Sequence, residues 1–132
     1  MTVRSRSDSG IDQLYEAWGK AFQCKNVDAI LGLLTPDYVL WPTCAFPISR
    51  DSLGPRLAAT LSAYDVTPSF EREERLVAGD FAFDRGWDIQ KIRACSGGEV
   101  MTHRQRVFLV LQRGDDGRWR FARGMSQPGP AA

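Results

Sequence analysis

The chain has 132 residues, 43% of them hydrophobic and 25% charged, with a formal net charge of +1. Such a balance fits one ordinary globular domain spanning residues 1–132. The near-neutral charge gives no basis for a nucleic-acid partner, and no apolar run approaches the roughly 18 residues of a membrane span.

The basic stretch Met1–Ser7 is followed by no apolar segment, so it does not read as a secretory signal. Short tails are expected at about 1–8 and 127–132. Ser9-Gly10-Ile11-Asp12 fits a capping box, with Ser9 as N-cap and Asp12 in place of the usual Glu. Ile11, Leu14, Tyr15, Trp18 and Phe22 then recur at helical spacing up to about Lys25. Asn26 can cap a short second helix carrying Ile30, Leu33 and Leu34, which Thr35-Pro36 ends. Asp37–Trp41 reads as a short strand stopped by Pro42, and 43–49 as a loop. A third helix is expected from about Asp51 to Tyr64, with Leu53, Leu57 and Leu61 on one face and Pro55 in its first turn. Cys24, Cys44 and Cys95 are an odd, widely spaced set, which suggests three reduced thiols in a cytoplasmic protein and neither a disulfide framework nor a zinc site.

The second half reads as a meander of four antiparallel strands: 71–78, 81–89, 106–111 and 118–123. Gly79-Asp80, Ser96-Gly97-Gly98 and Gly114-Asp115-Asp116-Gly117 punctuate it at hairpin spacing. One apolar face of such a sheet needs cover, and the helices of the first half supply it. The class is therefore α+β, a curved antiparallel sheet wrapped round about three helices. A hollow of this kind is a default ligand site.

Four segments carry a family resemblance. They are Trp18 with Asn26-Val27-Asp28-Ala29-Ile30; Leu34-Thr35-Pro36-Asp37-Tyr38-Val39; Val77–Gly86; and Leu111–Arg120 with its Asp-Gly-x-Trp hairpin. Together they resemble the nuclear-transport-factor-like superfamily, in its SnoaL-like branch. The resemblance implies a cone-shaped, cystatin-like fold. It leaves the activity open among isomerases, cyclases, hydrolases, dehydratases and association modules. It also implies that the tyrosine of steroid isomerases falls on Trp18, their base beside Trp41-Pro42 and their late acid near Arg106, so that chemistry is not expected with the same residues. Asp84, Arg85, Asp88, Arg104 and Arg106 offer the types for an Asp-Arg-Asp hydrolase relay, but strand alternation separates Asp84 from Arg85.

The candidate ligand-binding residues are Trp18, Trp41, Phe83, Arg85, Trp87, Arg104, Arg106, Tyr15, Phe22 and His103. Arg85 lies between Phe83 and Trp87 on one strand face. If that face is concave, Arg85 enters the hollow and orients an oxyanion; if convex, it stacks on Trp87 at the surface. Arg104 and Arg106 share a face with Phe108 and Val110, either solvated or lining the hollow, and His103 falls on the opposite face. The helix aromatics are either core or pocket wall, and Trp41 sits near the mouth. Cys44 lacks a neighbouring cation that would activate it.

The leading expectation is a cofactor-independent protein that binds a small hydrophobic, aromatic or polyketide-like ligand, without metal. Natural-product chemistry enters only through the resemblance. The alternative is a non-catalytic association module. A homodimer is expected in either case, because the outward side of Val107, Leu109 and Leu111 otherwise forms an apolar patch.

Overall fold

The structure, a computed structural model, describes residues 6–129. Of the tails expected at about 1–8 and 127–132, residues 1–5 and 130–132 lie outside the described residues, whereas 6–8 form the start of the first helix and no tail. Helices α1 (Arg6–Gln23), α2 (Val27–Gly32) and α3 (Arg50–Ala63) are joined to strands β1 (Leu34–Trp41), β2 (Ile48–Ser49), β3 (Tyr64–Ala78), β4 (Phe81–Ala94), β5 (Met101–Arg113) and β6 (Trp119–Pro128). The strands form one curved, unclosed sheet in the order β2-β1-β6-β5-β4-β3. β1 runs parallel to β6, and every other pair is antiparallel. The expected α+β class holds, with longer strands than the apolar runs alone suggested.

Local chemistry explains most boundaries. Asn26 caps α2, its side chain accepting from the Ala29 N–H at 3.0 Å. Ser49 caps α3 by accepting from the Ser52 N–H. Pro55 sits in the second turn of α3, one turn later than expected. Three expectations need correction. Ser9 is inside α1 and not its cap, since the helix already begins at Arg6. Thr35-Pro36 does not end α2, which stops at Gly32. Both residues enter β1, where the pairing with β6 is interrupted between Leu34 and Val39 and no ladder N–H is required of a proline. Gln127 and Pro128 belong to β6 and not to a tail.

Curvature comes from irregularities. β3 shifts register between Arg72 and Glu74, and β6 does so opposite Val110 and Leu111. Such extra residues bend a strand and increase its twist. β3 is the sheet edge, and it tolerates Pro68 for that reason. Its run Glu71-Arg72-Glu73-Glu74 also discourages pairing with another chain.

Two apolar clusters fill the space under the helices. One joins Ile11 and Leu14 of α1 to Leu34, Tyr38, Ala82, Leu111, Trp119 and Phe121. The other joins Ala21, Phe22, Ile30, Leu61 and Val66. The Trp119 indole lies directly beneath α1. A Cβ at Gly10 would come within 2.8 Å of that ring.

Gly86 stands opposite the β3 bulge, paired with Arg72. A Cβ there would lie 2.0 Å from the Glu71 carbonyl oxygen, which is backbone and cannot rotate away. Gly86→Ala should therefore destabilise the fold by about 1–3 kcal/mol, read as a lower urea midpoint. An unchanged midpoint would mean that the bulge is not rigid.

Candidate functional site

The concave face of the sheet is set by one strand phase. Leu111 is fully buried, and Val107 and Leu109 share its side of β5. Across β4 the matching positions are Ala82, Asp84, Gly86 and Asp88. Phe83, Arg85 and Trp87 therefore point outward. This phase corrects the expectation that Val107, Leu109 and Leu111 face outward, and with it the inward placement of Arg85.

The outward residues form a distinct surface. Arg85 donates to Glu74 at 2.7 Å and lies 3.4 Å from Glu73, with about half its side chain in solvent. Arg104 and Arg106 stack over the Trp87 ring, with guanidinium carbons 4.4 and 5.3 Å from its centroid. Arg104 also pairs with Glu71 at 3.2 Å. Phe83 packs on Phe108 at 5.2 Å. Trp41 is exposed and paired with Met125, so it lies off the cone wall. Phe22 is buried in the second core cluster. His103 has the inward phase but stands exposed near the start of β5. Of the ten candidates, only Tyr15 and Trp18 line the concave cavity.

That cavity has a volume of about 150 Å³. Its walls include Tyr15, Trp18, Tyr38, Phe70, Leu109 and Phe121, and its polar groups include Asp88, Gln90 and Gln105. Asp88 is half-buried. The side-chain amides of Gln90 and Gln105 both donate to its Oδ2, each at 3.0 Å. Oδ1 has no hydrogen-bond donor among the described residues. Burial pushes the Asp88 carboxyl above the usual carboxylate range, against the two amides and His103, which pull it down. Burial, and then the charge of Asp88, push the Tyr38 hydroxyl up to about 12. The site thus holds a carboxyl primed to take a proton and a phenol that stays protonated.

Beneath this site lies a buried network that sequence reasoning missed. Asp84 is 0% exposed. Arg75 grips it in a bidentate pair, Nε to Oδ1 at 2.7 Å and Nη2 to Oδ2 at 2.8 Å. The Tyr15 hydroxyl donates to the same Oδ2 at 2.8 Å. Arg75 Nη1 continues to Asp12 at 3.0 Å and to Asp8 at 3.4 Å. Burial, reinforced by Asp84, raises the Tyr15 phenol, so this hydroxyl stays protonated as a donor. The Tyr15 ring stacks flat on Phe70, centroids 4.8 Å apart. The network fixes the wall aromatics and is itself satisfied, so it braces the site and is not free to react.

The signal for the cavity residues was present in β4. Its inward phase, Ala82-Asp84-Gly86-Asp88-Gln90, is small or polar, whereas the large apolar residues lie on the other phase. An inward polar phase is the reverse of ordinary strand patterning. Among the described residues no group of three or more His, Cys, Asp or Glu could hold a metal ion, and no helix is long and apolar enough to cross a membrane.

The comparisons with known proteins bear on the fold. No family model matches the chain, and no curated protein matches it in sequence. Solved structures do match. A conserved protein from Planctomyces limnophilus superposes with a TM-score of 0.86 at 20% identity, over 96% of this chain and 100% of that one. A ketosteroid isomerase-like protein from Erwinia carotovora gives 0.73 at 19%, over 93% and 96%. A proposed dehydratase of the NTF2-like family from Streptomyces avermitilis gives 0.71 at 15%, over 93% and 96%. The fold is the NTF2-like, cystatin-like cone. This is the fold that the sequence resemblance implies, and identities this low carry no activity with them.

The buried and exposed arginines should behave oppositely. Arg75→Met strands the Asp84 charge and should cost about 3–5 kcal/mol. Arg85→Met removes only solvated pairs, and its thermal midpoint should stay near that of the parent. Equal effects in the two variants would contradict the assignment of inner and outer faces.

Proposed function

We propose that the protein binds a small hydrophobic ligand in the concave cavity and moves a proton on it without a cofactor. The observation that carries this reading is Asp88, a carboxyl with raised proton affinity and one uncommitted oxygen in a cavity walled mainly by aromatic and aliphatic side chains. Such a group is suited to general-base work near neutral pH. In this reading Asp88 abstracts a proton next to a ligand carbonyl. Tyr38, neutral and unionised, donates a hydrogen bond to the developing enolate oxygen. The two glutamines hold Asp88 in place through Oδ2, leaving Oδ1 for the ligand.

The cavity volume bears on the substrate. About 150 Å³ is the size of a space that accepts a single benzene ring, which favours one-ring carbonyl or phenolic compounds over a fused polyketide. Isomerase or dehydratase chemistry fits an acid–base pair of this kind. Both activities occur in the names of proteins with the same fold. The hollow is open, and of Trp18, Trp41 and Trp87 only Trp18 is on its wall. An open hollow supports ligand binding over a pure association module, although no arginine is among its lining residues. Three free, exposed thiols suit a reducing, cytoplasmic setting.

The test uses cyclohexenone in deuterated buffer, with α-proton exchange followed by NMR. The parent should exchange it faster than buffer, with the rate rising as pH passes upward through the Asp88 value, because only the carboxylate acts as base. Asp88→Asn should lower the rate by about 10²–10⁴ and Tyr38→Phe by about 10²–10³, both folded by circular dichroism. Exchange that persists in Asp88→Asn would remove Asp88 from the chemistry.

The reading includes a homodimer through the convex face. Leu76, Phe81, Phe108 and Met125 are each more than 40% exposed there. Phe83 and Trp41 lie on the same face. A self-complementary contact between two copies would cover this patch. Sedimentation at tens of micromolar protein should show a dimer, and Phe108→Asp should shift it to monomer while leaving the fold intact. A monomeric parent would contradict this part of the proposal.

A further inference from the structure

A second reactive group lies away from the cavity, where three elements meet at one corner. Lys25 is in the turn after α1, Asp65 is near the start of β3, and Cys95 follows β4. Lys25 Nζ is 3.2 Å from Cys95 Sγ and 2.8 Å from Asp65 Oδ1. The Cys95 thiol lies 3.7 Å from the same carboxylate. The backbones are pinned. Lys25 holds a left-handed conformation at φ 54°, with its N–H bonded to the Phe22 carbonyl. The Cys95 N–H donates to the Ala63 carbonyl at 2.9 Å. Cys24 and Cys44 are exposed as well, but among the described residues neither has such a lysine.

An exposed thiol is open to peroxide, and a sulfenic acid condenses with a nitrogen nucleophile held beside it. Holding the two groups in van der Waals reach makes that condensation effectively intramolecular. We propose that Lys25 and Cys95 form a covalent, thiol-reversible cross-link under peroxide, making this corner a redox-sensitive latch.

The chemistry balances with peroxide as the oxidant. Peroxide transfers one oxygen to the Cys95 thiol, giving the sulfenic acid and one water. The Lys25 amine, once its proton has passed to solvent, attacks the sulfur. The N–S bond forms, the S–O bond breaks, and the hydroxyl leaves with an amine proton as a second water. Sulfur is oxidised by two electrons, and peroxide is reduced by two. A second peroxide equivalent, leaving one further water, inserts an oxygen to give the N–O–S form of the same link. Asp65 holds the amine against the sulfur and is not consumed. The link ties the α1–α2 corner to the ends of β3 and β4, across the cluster of Ala21, Phe22, Leu61 and Val66.

The test treats the full chain with hydrogen peroxide, digests it with trypsin without reductant, and reads the peptides by mass spectrometry. The expected result is a Lys25 peptide joined to the Cys95 peptide, lighter than their sum by two hydrogens, or heavier than that by one oxygen. Cleavage after Lys25 should be lost, and dithiothreitol should restore both peptides. The thermal midpoint should rise on oxidation and fall back on reduction. Lys25→Arg keeps the Asp65 ion pair but lacks the amine, so it should lose the link and let Cys95 run on to sulfinic acid. Cys24→Ser and Cys44→Ser should keep the link. Over-oxidation of Cys95 without the link in the parent would overturn the proposal. So would equal cross-linking in Lys25→Arg, or equal linkage at Cys24.

Discussion

The structure depends on one buried ion pair. Asp84 is fully enclosed between α1 and the sheet, and an enclosed carboxylate is tolerable only if its charge and lone pairs are met. Arg75 meets it from the neighbouring strand and Tyr15 from the helix. The helix cannot slide on the sheet without pulling the Tyr15 hydroxyl off that carboxylate and Asp12 off Arg75. The rotation of α1 is thereby fixed, and with it the positions of Tyr15 and Trp18 on the cavity wall. The pair stabilises less through its own attraction than through the cost of breaking it. It specifies one docking of α1 among the several that an apolar helix face would accept.

A second constraint follows along β4. Once Asp84 is inward, alternation forces Asp88 and Gln90 inward and Phe83, Arg85 and Trp87 outward. The polar phase of the strand enters the cone, and the aromatic phase is left on the convex side. Asp88 is therefore set in a poorly solvated wall by the same register that places Asp84 in its pair. The cavity chemistry and the apolar outer face are two consequences of one strand phase. Gly86, between the two aspartates, lets β4 pass close to the β3 bulge that curves the cone.

Much of the fold was legible in the sequence, because it rests on local rules. The stripe Ile11, Leu14, Tyr15 and Trp18, the Asn26 cap and the Gly-Asp hairpin turns each specify an element without reference to the others. Leu53, Leu57 and Leu61 likewise mark the inner face of α3. The ends of β3, β4 and β5 were not legible, since polar residues such as Lys91, Arg93 and Thr102 continue the ladders by backbone pairing alone. The site was half legible. Tyr15 and Trp18 followed from helix periodicity. Asp88, Gln90, Gln105 and Tyr38 did not, because the large apolar residues of β4 lie on its outward side and strand patterning alone leaves the two faces undecided. The Gly79-Asp80 hairpin sets Arg75 opposite Asp84, but the sequence pattern does not say which side of that hairpin α1 covers, and the contact of Tyr15 with Asp84 reveals the true phase.

The central claim is that Asp88 is a proton-accepting group inside a ligand cavity. Its most direct test is a carboxyl ¹³C NMR titration of Asp88, assigned with Asp88→Asn, in the absence and presence of phenol. The account predicts a midpoint above the ordinary carboxylate range and a further displacement when phenol occupies the cavity. A midpoint typical of a solvated aspartate, unmoved by phenol, would contradict it.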